Sequence, residues 1–243
     1  MSSHTLIKYP RTPHLVGSRL QPGDEDLSQI PFSFMADRHW VVEKKVDGAN
    51  TAISFGEDGT LLLQSRGHYL TGGHRERHYN LFKQWAAIHR DALYGVLGSR
   101  YILYGEWLYA KHTVYYDRLP HYFLEFDVLD RQEGIYLSTQ RRHALLRDLP
   151  VVSVPVLAEG IFNRSEDLLS LLGSSKFISP EKNENLRRTS KKLDLDPDRQ
   201  CRETDPSDLM EGLYIKVEAD GQVVDRLKYV RATFTQTVEV SQT

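Results

Sequence analysis

The sequence predicts an α+β fold. Short runs rich in β-branched and aromatic residues dominate it, some of them joined by Asp-Gly turns, and one longer amphipathic helical pattern interrupts them. The length of 243 residues sets the scale: one large domain or two small ones.

The elements follow in order. Residues 1–38 read as an irregular, basic lead-in, because prolines at 10, 13, 22 and 31 break any long helix. Lys8, Arg11 and Arg19 precede an acidic run, Asp24, Glu25 and Asp26, as expected of an arm lying on the surface. Three strands are expected within residues 40–66, with Asp58-Gly59 as a hairpin turn between the second and third. A helix over 76–97 is expected to bury Leu81, Trp85, Ile88, Ala92 and Val96, spaced by three and four, with Gly98 as its C-cap. Strands over 100–109 and 121–130, a helix over 138–146, a strand over 151–158 and a short helix over 165–172 come next. Residues 181–205 are dense in charge of both signs and read as a solvated helical excursion, since fewer than forty residues follow. Two last strands, 210–218 and 222–230, meet at Asp220-Gly221.

Composition narrows the class. The chain is 40% hydrophobic and 26% charged, with a mean hydropathy of -0.48, values that exclude a mostly disordered chain, a collagenous fibre and a membrane bundle. A single cysteine, Cys201, makes the reducing cytoplasm the default setting. The net charge of -2 means that a polyanionic partner must be met by a local basic patch.

The chemistry centres on Lys45-Val46-Asp47-Gly48, set between two strand-like runs with Asn50 just beyond. A free lysine has a pKa near 10.4 and is almost wholly protonated at neutral pH; partial burial and nearby cations would lower that value and free the amine as a nucleophile. Lys44, directly before Lys45, either lowers that pKa as a neighbouring cation or points away on the strand. Downstream stand Tyr104-Gly105-Glu106, Phe126-Asp127, the run from Glu211-Gly212 to Lys216, and Arg226-Leu227-Lys228, whose alternation puts both cations on one face of a strand. Singly these are ordinary: a surface lysine, strand-end acids, a core phenylalanine, rim arginines. His68, His74, His78, His112 and His121 lack cysteine partners and an H-E-x-x-H helix, which argues against zinc.

In this order, however, K-x-D-G, Y-G-E, F-D, E-G-L-Y-I-K and R-L-K resemble motifs I, III, IIIa, IV and V of the covalent nucleotidyltransferases, the polynucleotide ligases and mRNA capping enzymes. The trailing Asn50 and the run from Gly105-Glu-Trp107 to Leu119-Pro120 resemble most the ATP-dependent RNA ligases of the RNA-ligase-2-like group. The resemblance implies a ligase-type, ATP-grasp-like domain with antiparallel sheets flanking a nucleotide pocket. It implies that Lys45 takes AMP from ATP, that AMP passes to a 5′-phosphate end, and that a 3′-hydroxyl seals the strand.

The same resemblance implies the roles of the remaining residues. Lys216, Arg226 and Lys228 would meet the α-phosphate and Arg66 the ribose or incoming phosphate. Phe126 would stack on adenine, and Asp47, Gly48 and Asn50 would complete the nucleotide site. Glu106 would hold the ribose hydroxyls, and Glu211, with Glu106 or Asp127, a hydrated Mg²⁺ or Mn²⁺. Lys45, Lys228 and Glu211 form the expected catalytic set.

The expected partner is RNA, as ends, a nicked duplex or an RNA/DNA hybrid, with a kinase or phosphatase that prepares the ends, and no membrane. One nucleotidyltransferase domain is expected over 1–243, since the twelve residues after Arg231 leave no room for an OB-fold. The N-terminal arm, residues 181–205 or another protein would replace that clamp. A DNA ligase, a GTP-using capping enzyme and a non-catalytic nucleotide- or RNA-binding module remain as alternatives.

Overall fold

A computed structural model of the chain describes residues 5–235. The first four residues of the expected arm, and the last eight of those expected beyond the final motif, lie outside the described residues.

One large sheet organises the chain. Its main path runs β10 (Val156–Ile161), β3 (His39–Lys45), β11 (Gly212–Ala219), β12 (Gln222–Val230), β8 (Ile135–Leu137), β7 (Phe123–Asp130), β6 (Tyr101–Trp107), β4 (Ala49–Phe55) and β5 (Leu61–Ser65). Every neighbouring pair along this path is antiparallel. The Asp220-Gly221 turn carries positive φ at both residues, as a tight hairpin between right-twisted strands requires.

Each half of the sheet buries one apolar face. Trp40, Val42, Leu213, Ile215, Val217 and Leu227 form a core on one side of β3, β11 and β12. Ile53, Phe55, Leu103, Trp107, Phe123 and Val128 form another on β4, β6 and β7, covered by α1 (Asn80–Ile88) and α2 (Arg90–Leu97).

That helical segment departs from expectation. It opens with a 3₁₀ turn at His74–Tyr79 and breaks at His89. The buried stripe is Phe82, Ala86, Leu93 and Leu97, whereas Leu81, Ile88 and Ala92 are exposed. Two apolar stripes lie side by side in this sequence, and the one that holds Phe82, Leu93 and Leu97 packs against the sheet. Gly98 ends α2 with positive φ, as expected of a C-cap.

The strand expected over 151–158 is split into β9 (Val152–Ser153) and β10, with Pro155 between them unable to donate to a ladder. The helix α3 (Thr139–Leu146) has Ser138 as its N-cap, accepting from the Arg141 amide, and α4 is Ser165–Leu169. Residues 181–205 are helical, forming α5 (Lys182–Lys192) and α6 (Pro197–Arg202), but they are not wholly solvated. Leu186 and Lys182 are buried, and the Lys182 ammonium donates to the carbonyls of Asp205, Pro206 and Ser207.

The lead-in is more than an arm on the surface. Its β1 (His14–Leu15) lies parallel to β12, pairing His14 with Lys228, and also parallel to β2 (Gln29–Ile30).

Candidate nucleotide site

Three rows of paired residues lay out the floor of the site on one face of β3, β11 and β12. Lys45, Gly212 and Val230 make the outermost row; Glu43, Tyr214, Lys228 and then His14 the next; Val41, Lys216 and Arg226 the deepest. Period-two alternation keeps all of these side chains on one face and sends Trp40, Val42 and Lys44 to the other. The facing wall comes from β4 and β6, where Asn50 pairs with Glu106, and from Phe126 of β7. Between them is a cavity of about 650 Å³, within the range of small-molecule sites.

Three motif glycines let the strands approach this closely. A β-carbon on Gly48 would lie 2.6 Å from Leu108 and 2.7 Å from the Trp107 carbonyl, and one on Gly105 would lie 2.5 Å from the Phe123 ring. One on Gly212 would overlap the Tyr229 carbonyl.

Lys45, Asp47, Gly48, Asn50, Arg66 and Glu106 line the cavity, as do Phe126, Glu211 and Lys228. Lys45 Nζ lies 2.8 Å from Glu211 Oε1, with the lysine side chain 23% exposed and the glutamate 4%. Burial alone would lower the lysine pKa, but the carboxylates of Glu211, Glu106 and Asp47 outweigh it and hold the ammonium above its usual value. Lys44 does not act on this group. It is buried on the opposite face, bonded to Ser175 Oγ with its ammonium 3.6 Å from the centre of the Phe177 ring, and burial pushes it down to about 7.

The acids are constrained in turn. Burial raises Glu106 to about 8, with Lys45 opposing and Glu211 and Asp47 adding to the rise. Asp47 accepts from the amides of Thr113 and Val114, both at 2.8 Å, and so ties the segment after β6 to the lysine loop. Glu211 Oε2 is buried without a hydrogen-bond partner.

Lys216, Arg226 and Asp127 depart from expectation, because the structure does not bring them to the cavity wall. The fully buried Lys216 ammonium bonds the Phe126 carbonyl and lies 3.0 Å from Glu43 and 3.4 Å from Asp127. Arg226 lies 3.5 Å from Asp127, with its guanidinium over the Tyr136 ring. Asp127 also accepts from Tyr9 Oη at 2.6 Å. The three form a charge network, with Lys216 and Asp127 fully buried and Arg226 partly exposed. Lys216 thus touches the cavity from behind, through Glu43 and the Phe126 carbonyl.

Other cavity residues were not expected. Tyr9, Thr12 and Asp24 come from the lead-in, and Tyr214 and Glu43 from elsewhere. Glu43 was within reach of sequence reasoning, since it stands two residues before Lys45 on the same strand. The lead-in residues gave no such signal.

A divalent cation fits here on one observation, the orphaned Glu211 oxygen close to a second acid, Glu106. Among the described residues, no group of three or more acids, histidines or cysteines is placed to bind a metal with protein ligands alone. That matches a hydrated cation held by one or two carboxylates and by substrate phosphates. Asp127, occupied by Tyr9 and two cations, does not belong to that set.

Solved structures of an RNA ligase from Naegleria gruberi share the fold. One, a variant with ATP and Mn, is 18% identical with a TM-score of 0.51 over 82% of this chain and 51% of its own. Another, with PPi, is 19% identical with a TM-score of 0.54 over 92% of this chain and 56% of its own. The chain thus spans about half the length of the solved structures it matches. Comparison with curated protein sequences gives no match. The RNA ligase family model matches residues 38–230, from the start of the lysine strand to the end of β12, and the chain belongs to the RNA ligase family.

Proposed function

We propose that the chain is an ATP-dependent RNA ligase that seals 5′-phosphate and 3′-hydroxyl ends through a lysyl-AMP on Lys45. The observation that carries this reading is the Lys45–Glu211 pair, 2.8 Å apart, in a cavity that also holds Phe126 and Lys228. The Phe126 ring offers a face for adenine, and Lys228 and Arg66 offer charge to the phosphates.

In the first transfer the Lys45 amine attacks the α-phosphorus. A nitrogen–phosphorus bond forms, the bond from the α-phosphorus to the bridging oxygen breaks, and pyrophosphate leaves with the electron pair. Glu211 is placed to take the amine proton. An oxygen of an RNA 5′-phosphate then displaces the lysine, which recovers a proton. Finally a 3′-hydroxyl oxygen attacks the 5′-phosphorus and loses its proton to solvent, the phosphoanhydride bond breaks, and AMP leaves with the electron pair. A Mg²⁺ or Mn²⁺ ion held by Glu211 and Glu106 would supply the positive charge that cancels the acids now keeping Lys45 protonated.

The reading extends to RNA repair in the cytoplasm, with ends prepared by a separate kinase or phosphatase. It treats residues 1–243 as one nucleotidyltransferase domain of the RNA-ligase-2-like group.

Wild-type protein, first stripped of any bound AMP with pyrophosphate, should retain label from α-labelled ATP and metal after denaturation. It should take none from γ-labelled ATP, and Lys45→Ala should take none from either. Absence of α-label in the wild type, with ATP binding retained, would replace the ligase by a binding module. Labelling with GTP alone would point to capping chemistry. A panel of nicked duplexes with RNA or DNA on each side of the nick separates RNA from DNA joining.

A further inference from the structure

The lead-in lies before the residues matched by the family, 38–230, yet it reaches the cavity. Asp24 Oδ2 lies 2.5 Å from Lys228 Nζ and 3.0 Å from His14 Nε2. His14 is fully buried, and its Nδ1 lies 2.7 Å from Ser18 Oγ. Ser18 Oγ accepts from the Val230 amide at 2.8 Å.

Donor counting assigns each proton in this chain. The Asp24 carboxylate can only accept, so His14 Nε2 carries a hydrogen and donates to it; in the neutral ring Nδ1 is then left to accept from the Ser18 hydroxyl, which itself accepts from Val230. Burial lowers the His14 pKa against the pull of Asp24, which keeps the ring in that neutral form. The backbone fixes the same geometry, since His14 pairs with Lys228 across β1 and β12 and the Lys228 amide donates to the Pro13 carbonyl at 2.9 Å. Every link is satisfied, so the Asp24 carboxylate is held in one orientation.

We propose that Asp24 is a positioning residue for nucleotidyl transfer, aiming the Lys228 ammonium into the cavity, and that His14 and Ser18 hold Asp24 in place. The proposal rests on the ligase reading of this cavity. Lys228 needs such a partner. It is partly desolvated and faces a second ammonium, Lys45, both of which favour its neutral form; Asp24 opposes them. A mobile or neutral Lys228 would serve the phosphates poorly, because phosphoryl transfer depends on positioned charge.

The test is a double-mutant cycle on the full chain, read as the single-turnover rate of Lys45 labelling by α-labelled ATP. Asp24→Asn keeps the size but replaces the charged acceptor with a neutral one, so the charge-assisted bond to Lys228 is lost. It should slow labelling about 10- to 100-fold, the loss expected for one hydrogen bond to a charged group, with a smaller change in the ATP concentration for half-maximal rate. Asp24→Glu should recover part of the rate. In a Lys228→Met background, Asp24→Asn should add no more than about twofold.

Equal losses with and without Lys228 would mean that Asp24 serves the fold only and would overturn the proposal, as would an Asp24→Asn chain that does not fold. Faster labelling or tighter ATP binding by Asp24→Asn would overturn it too, by making Asp24 a competitor of the phosphates. Wild type that takes no label ends the ligase reading alone. The cycle is then read from the rise in Tm given by ATP, where additive losses overturn the positioning role and non-additive losses support it.

Discussion

Glu106 stands among Lys45, Glu211 and Asp47 with its carboxyl pushed up to about 8, chiefly by burial. An unfolded glutamate titrates near 4.3. Between these values the folded chain holds a proton that the unfolded chain has lost, so stability falls as pH rises through that interval. Glu106→Gln carries no such penalty. Its Tm should match the wild type near pH 4, pull ahead as pH rises, and stay ahead by a few degrees above pH 8. Melting both proteins across pH 4 to 9 checks this; a gap that is flat or narrows with rising pH contradicts it. The same substitution should weaken metal-dependent labelling, because it removes the acid that would share the cation with the unpartnered Glu211 oxygen. Stability and activity would then move in opposite directions at one position, as expected where carboxylates are crowded for a ligand and not for the fold.

Among the elements, β11 is the most constrained. It runs between β3 and β12 and begins at Gly212, over which the Tyr229 carbonyl passes directly. Gly212→Ala should destabilise by about 3 kcal/mol or more, since strand backbone, unlike a flexible side chain, cannot move aside. Urea unfolding would show it as a lower midpoint at unchanged slope.

How much of the fold and site could be read from sequence follows the same division. β3, β4, β6, β7, β11 and β12 were legible because alternation and Asp-Gly turns are local signals. The helix position was legible, but its buried face was not: Phe82, Ala86, Leu93 and Leu97 compete in sequence with a second stripe, and only packing chooses. Lys45, Glu106, Phe126, Glu211 and Lys228 were legible as an ordered set, and they line one cavity. Depth was not legible. Lys216 shares a face with Tyr214 and lies two residues further along β11, a distance that takes it from the cavity into the interior. The lead-in was least legible of all, because its pairing with β12 joins residues 14 and 228 and leaves no periodic trace.

At the scale of the whole molecule, the two halves of the sheet are joined under the cavity by buried charge. Lys216 of β11 bridges Glu43 of β3 and Asp127 of β7, Arg226 of β12 also meets Asp127, and Arg142 of α3 reaches both Glu43 and Glu125 of β7. Arg142 is fully buried, bonds the Phe126 carbonyl, and lies 3.1 Å from Glu125. Removing it leaves its carboxylates in a dry interior with too few cations. Arg142→Met should therefore cost about 3–5 kcal/mol at neutral pH, which for a chain of this size lowers Tm by about 10 °C. The penalty should depend on pH with a definite sign. Burial already raises the Glu125 carboxyl, and Arg142 opposes that rise. Without Arg142 the group climbs further and takes up a proton on folding, so the variant loses ground as pH rises and recovers it as pH falls. Urea unfolding at pH 5 and pH 8 should show the wider gap at pH 8, and Glu125→Gln added to Arg142→Met should close part of it. A gap of equal size at both pH values would mean that the loss is one of packing. ATP binding should weaken in the same variant, since Arg142 and Lys216 share the carbonyl of Phe126, whose ring lines the cavity.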